Sequence, residues 1–237
     1  MRRRDPKYLF LVISLLGSTV LITSSAPLSL LGNMGIVGSA LSLLVTAYLV
    51  AERRRHLLLV VVLGASALLP FAWFSVFRGA LAPRLVNGIY VLNLVVWLLF
   101  TVCTALIVFR DIMTARRVRG NEIYGAIYVY LLIGVMFAQA YQLLLVWQPD
   151  ALRFDPGLFP GPEAIGSSLH VRGPGDMLYY SFVTLGTFGY GDVTPSSPLA
   201  RSVSLIEAMV GIMYVATMIA RFVSIQINSR EQGRESP

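Results

Sequence analysis

Six consecutive residues, Thr187-Phe188-Gly189-Tyr190-Gly191-Asp192, combine types suited to one task, replacing the water around a cation with backbone oxygens. Gly189 and Gly191 reach backbone angles closed to residues with a Cβ, which lets successive carbonyls point the same way. Thr187 adds a hydroxyl at one end of the row. Tyr190 is better placed facing away from the ions, its ring packed against a neighbouring helix so that the oxygens stay apart. One loop supplies one carbonyl at each level, whereas a desolvated cation needs several, so four copies closed around an axis are expected. A Gly-x-Gly pair also occurs in tight turns and phosphate loops, but the phosphate versions follow a strand and open a helix. Here a short apolar helix precedes and a long apolar run follows, which favours ion coordination.

The elements that must hold this loop are membrane elements. Of the 237 residues, 56% are hydrophobic and 13% charged, a charged share about half that of globular domains. Helices of roughly 20 apolar residues cross a bilayer, and six such runs are bounded by charge: 8–23, 27–50, 57–77, 85–109, 123–147 and 202–227. The first is short and follows Arg2, Arg3 and Arg4. It reads either as a retained span or as a secretory signal cut after Ser24-Ser25-Ala26, and Pro27 just past that cut favours retention. Between the last two runs, residues 148–175 are rich in Pro and Gly and are expected to be irregular. Asp176 then suits an N-cap for a short helix over 177–185, too short to span, which must dip in and return.

Orientation follows from the basic residues. Arg2, Arg3, Arg4 and Lys7, then Arg53, Arg54 and Arg55, then Arg110, Arg116, Arg117 and Arg119, then Arg221, Arg230 and Arg234 mark one set of ends. The opposite ends carry only Arg78, Arg84, Arg153, Arg172 and Arg201. Both termini are therefore expected in the cytoplasm and the 187–192 loop near the outer face. The net charge of +7 is distributed as topology signals, not as a nucleic-acid groove. Cys103 stands alone, so no intrachain disulfide is expected, and neither a catalytic constellation nor a zinc-ligand spacing is present. An enzyme, a nucleic-acid binder and a protein acting on an organic substrate are disfavoured together.

Residues 179–195, YYSFVTLGTFGYGDVTP, resemble the pore helix and filter of the potassium channel superfamily, in particular prokaryotic six-span channels with a two-span pore domain. The specific likeness covers about 123–227. It implies an all-α membrane protein with six transmembrane helices, and a re-entrant pore helix and filter loop between the fifth and sixth. Residues 1–110 would form a peripheral four-helix unit, 111–122 a cytoplasmic linker, 123–228 the pore domain and 229–237 a short cytoplasmic tail. The resemblance further implies a homotetramer in membrane lipid, a multi-pass protein of a bacterial plasma membrane. Permeant potassium ions would be held by the carbonyls of Thr187, Phe188, Gly189 and Tyr190, within an ion-binding filter that ends in Gly191 and Asp192. Tyr179 and Tyr180 occupy the places of two tryptophans that clasp the filter in many relatives. Gly211 falls where a gating hinge is common, with Ile212, Val215, Ile219 and Val223 expected along the pore.

Several residues depart from that pattern or allow two readings. Phe188 replaces a usual Val or Ile, Gly186 a common Thr, and Val183 a Glu that in some channels pairs with the filter aspartate. Gly211 serves equally as a hinge or as a close-packing position. Glu207, the lone acid inside a run, reads as a neutral or hydrogen-bonded group behind the filter ahead of a cation attractor in the cavity. Residues 110–119 suit an interfacial amphipathic helix or a plain basic loop. Residues 85–109 carry no charge, so the peripheral unit is not expected to be a charged voltage sensor. The functions left standing are potassium-selective conduction, weakly selective cation conduction, or a non-conducting membrane sensor or scaffold that retains a pore domain.

Overall fold

The computed structural model describes residues 7–24, 45, 83–115, 120–159, 163–165 and 169–234. Apart from Val45, the expected spans at 27–50 and 57–77 lie outside these, as do Arg53 to His56 and the arginines at 116, 117 and 119. The described chain is mostly helical. In order it runs α1 (Lys7–Ser24), α2 (Pro83–Thr114), α3 (Gly120–Trp147), β1 (Leu152–Phe154), β2 (Glu163–Ile165), β3 (Leu169–Val171), α4 (Pro174–Leu185), β4 (Val193–Pro195) and α5 (Pro198–Arg234). Among the described residues, three helical segments are long and apolar enough to cross a membrane: Gly88–Thr114, Gly120–Trp147 and Pro198–Ile227. Tyr8–Thr23 forms a shorter apolar helix.

Helix α3 is the hub, packed against α1, α2, α4 and α5. Its Tyr128, Leu132 and Tyr141 are fully enclosed. Helix α1 buries one stripe, Tyr8, Leu11, Val12, Leu15, Ser18 and Ile22, the spacing of a single helical face. That stripe lies against α3 and α4. Tyr8 also donates from its hydroxyl to Asp111 at 2.7 Å, tying the start of α1 to the end of α2. At the other end, a Cβ added to Gly175 would stand 2.6 Å from the Ile22 carbonyl oxygen, so α1 and α4 touch backbone to backbone. Within α2, Thr101 and Thr104 return their hydroxyls to the carbonyls four residues earlier. The amide of Gln139 on α3 reaches Thr101 at 3.2 Å.

The structure departs from the expectations in four places. The loop after α3 is not wholly irregular: β1 pairs antiparallel with β4, setting Arg153 opposite Thr194, and β2 pairs with β3, setting Ala164 opposite His170. Pro and Gly punctuate these short strands without preventing them, because each needs only three residues in extended backbone. Asp176 is not an N-cap. Helix α4 begins earlier, at Pro174 behind Gly173, because proline's fixed φ suits a first helical position that needs no N–H partner. Asp176 then falls in the first turn, where the helix dipole favours a negative charge. Of the stretch 110–119, Arg110 to Thr114 belong to the end of α2, and residues 116–119 lie outside the described residues. Finally, α5 continues to Arg234, past the boundary where a tail was expected.

Candidate functional site

Helix α4 ends against the loop that carries the candidate ion ligands. Its C-terminal Gly186 N–H donates to Phe182 O at 2.9 Å, Thr187 N–H to Thr184 O at 3.0 Å and Phe188 N–H to Val183 O at 2.9 Å. Three successive amides are thus drawn back onto the last turn of α4, and the loop leaves the helix with its direction set. Along the loop, φ is positive at Thr187 (57°), Gly189 (57°) and Gly191 (84°). The glycines adopt this region freely, but Thr187 has a Cβ, so the conformation costs about 1–2 kcal/mol there. Its own amide bond to Thr184 helps hold it.

The outer end of the loop is anchored twice. Tyr179 OH donates to Asp192 Oδ2 at 2.5 Å, and Asp192 Oδ1 accepts from the Val193 amide at 3.0 Å. Asp192 O accepts from the Asp155 amide at 2.9 Å, beside the β1–β4 pair. Asp192 therefore has a partner although Val183 offers no carboxylate. Rings continue the anchoring: Phe154 meets Phe159 edge-on at 5.6 Å, Phe159 meets Tyr179 at 5.8 Å, and Tyr179 stacks on Tyr190 at 6.5 Å. Phe188 stacks on Tyr190 at 6.0 Å, only 5° from parallel. Arg172 lies 4.1 Å above the Phe154 ring, a cation–π contact at the far end of this column.

The two tyrosines expected to support the loop take different partners. Tyr179 touches Asp192 and Tyr190, whereas Tyr180 turns the other way, its hydroxyl 2.7 Å from Ser204 Oγ on α5 and its ring edge-on to Tyr141 at 4.9 Å. Phe188 lies beside Gly186: a Cβ at 186 would come within 2.6 Å of the Phe188 ring. The two departures from the family pattern thus occupy one space. Gly211 is buried where α5 crosses the end of α4, and a Cβ there would be 2.5 Å from Leu185 O. That carbonyl also accepts from Tyr130 OH at 3.2 Å. Ile212, Val215, Ile219 and Val223 lie exposed along α5.

Sequence reasoning had singled out Glu207 without its partners. The carboxyl is fully buried, 2.6 Å from Tyr141 OH and 2.5 Å from Ser181 Oγ, between α3 and α4. In the sequence Arg221 is only an orientation signal. Its guanidinium, from α5, donates to the carbonyls of Ile112, Met113 and Ala115 at 3.3, 2.5 and 3.3 Å, closing the C-terminus of α2. No pattern in the sequence pairs residues so far apart.

Residues 163–227 match a protein family described as "Ion channel". A 56-residue segment is 38% identical to "Two pore potassium channel c" of Oryza sativa subsp. japonica, covering 24% of this chain and 12% of that one. A 49-residue segment is 41% identical to "Probable potassium channel protein 2" of Methanocaldococcus jannaschii, covering 19% and 14%. "Two-pore potassium channel 3" of Arabidopsis thaliana is 34% identical over 56 residues, 24% and 13% of the two chains. The matched stretch thus spans about an eighth of each relative's length. The matching family is one of ion channels, not enzymes, and with three helices of membrane-crossing length among the described residues it points to a membrane protein.

Proposed function

We propose that this chain is one subunit of a homotetrameric, potassium-selective channel of the plasma membrane, with 187–192 as its filter and α4 as a re-entrant pore helix between an outer helix, α3, and an inner helix, α5. The observation that carries this reading is the alternation in the sign of φ, positive at Thr187, Gly189 and Gly191 but not at Phe188 and Tyr190 between them. Alternating left- and right-handed residues gather N–H groups on one edge of a segment and carbonyls on the other. Four such carbonyl edges around an axis would replace a potassium ion's water shell.

The exposure of the chain supports four-fold assembly. Within the apolar window of α5 only 17% is buried, against 61% for α3. Phe188 and Tyr190 are each 67% exposed, as are large side chains such as Leu205 and Met213 at 63%. Lipid would suit one face of α5 but not a filter. Neighbouring copies covering α5 and the rings beside the filter account for both. The inner helix would then present Ile212, Val215, Ile219 and Val223 to the ion path, with the start of α1 and the end of α5 in the cytoplasm.

Purified protein in liposomes tests the reading. It should pass potassium down a gradient, be blocked by barium, and show a reversal potential close to that of potassium in mixed potassium and sodium. A reversal potential midway between the two ions would establish a weakly selective cation channel, and absence of flux a scaffold. A conducting species with the mass of a dimer would overturn the four-fold assembly.

A further inference from the structure

Behind the loop, seven hydroxyl, carboxyl and carbonyl groups from three helices meet in one cluster. Ser181 Oγ of α4 lies 2.7 Å from the Gly134 carbonyl oxygen of α3 and 2.5 Å from Glu207 Oε1 of α5. Tyr141 OH of α3 lies 2.6 Å from Glu207 Oε2. Tyr180 OH lies 2.7 Å from Ser204 Oγ, which donates to Ala200 O at 2.8 Å.

A count of hydrogens decides the state of the acid. A serine hydroxyl carries one hydrogen, and a carbonyl only accepts. If Ser181 donates to Gly134, nothing remains for its contact with Glu207 unless the carboxyl supplies the hydrogen. If Ser181 donates to Glu207 instead, two oxygens face each other at 2.7 Å with no hydrogen between them. A protonated Glu207 removes the conflict: Tyr141 donates to Oε2, Oε1–H donates to Ser181, and Ser181 donates to Gly134. The surroundings agree. The titratable groups facing the carboxyl are phenols, Tyr130 and Tyr141 from α3 and Tyr180 from α4, and among the described residues no cation acts on it. An unpaired carboxylate with no solvent exposure would carry the full cost of desolvation.

We propose that Glu207 is a positioning residue that works as a neutral carboxylic acid: its proton closes one hydrogen-bond chain from Tyr141 through Ser181 to Gly134, clamping α4 between α3 and α5. The clamp grips α4 at Ser181, one helical turn before its end at Leu185, and so sets where the 187–192 loop begins. Glu207 is enclosed behind α4, which removes it from the set of groups drawing cations into a cavity. The inference rests on the filter reading for its functional consequence but not for the proton.

Two measurements on the full-length protein in lipid test it. Infrared spectra at neutral pH should contain the carbonyl stretch of a buried protonated acid that disappears in Glu207→Gln, whether or not the protein conducts. No such band would overturn the proton. In flux assays, Glu207→Gln should keep potassium flux and the potassium-to-sodium permeability ratio within about twofold of wild type, because an amide can donate to Ser181 and accept from Tyr141 as the acid does. Glu207→Val should lower flux about tenfold or more, because it breaks the chain, leaving Tyr141 OH only its longer 3.2 Å contact with Ser204 Oγ and Ser181 only its bond to Gly134, with nothing from α5 gripping Ser181. A Gln variant that fails to assemble, or that loses flux as Val does, would show that a charge is required and overturn the proposal. If wild type carries no potassium, the filter reading fails, and the infrared band alone decides the state of Glu207.

Discussion

Gly186 and Phe188 should behave as a single unit, and replacing Gly186 by Thr exposes it. A Cβ at 186 would stand 2.6 and 2.9 Å from two atoms of the Phe188 ring and 3.0 Å from Phe182 O. Carbon atoms rest at about 3.5–4.0 Å, so the ring would have to retreat by roughly 1 Å. The backbone carbonyl on the other side, which also accepts the Gly186 amide, blocks relief in that direction. Moving the ring disturbs its stacking on Tyr190, worth about 0.5–1.5 kcal/mol, and overpacking adds about 1–3 kcal/mol. A combined cost near 2 kcal/mol corresponds to about a 30-fold shift from an intact to a distorted loop, at 1.4 kcal/mol per tenfold. The assay is potassium flux and the potassium-to-sodium reversal potential in four proteins: wild type, Gly186→Thr, Phe188→Val and the double variant. Gly186→Thr alone should lose flux or selectivity, Phe188→Val alone should keep both, and the double variant should recover, giving a coupling of about 1–3 kcal/mol. A double variant as impaired as Gly186→Thr, or an unimpaired single variant, would refute the shared-space argument.

Four further outcomes are expected. Gly189→Ala, placed at φ 57°, adds about 1–2 kcal/mol of strain and should degrade potassium selectivity; an unchanged permeability ratio would count against this loop as the ion path. Gly211→Ala drives a methyl onto the Leu185 carbonyl and should destabilise the assembled protein by about 1–3 kcal/mol, read from thermal dissociation in detergent. Altered gating with unaltered stability would instead favour a hinge. Arg221→Gln removes the charge that closes the C-terminus of α2, a bond class worth about 1.5–3 kcal/mol; open probability should change while selectivity does not, and single-channel recordings identical to wild type would sink this coupling. Because residues 88–109 of α2 include no charged side chain, conductance should depend only weakly on voltage. A steep sigmoid abolished by removing residues 1–110 would reveal a sensor outside α2.

Much of this protein is legible in one dimension. Span-length apolar runs announce α2, α3 and α5 because a bilayer demands about 20 apolar residues whatever their order, and the ends found for these helices lie within a few residues of those runs for α2 and α3. The candidate ion loop is equally local, since six adjacent residues carry both the glycines and the backbone geometry they permit. Three-residue strands escape such reading because their pairing partners, 154 with 193 for example, lie tens of residues away on the far side of α4. So do Tyr8 against Asp111 and Arg221 against the end of α2. Glu207 marks the boundary most clearly. Its position in an apolar run already marked it as unusual, but a carboxyl's state depends on which atoms surround it. Only the packing of α3, α4 and α5 brings one serine hydrogen between two acceptors and leaves the acid to supply the missing proton.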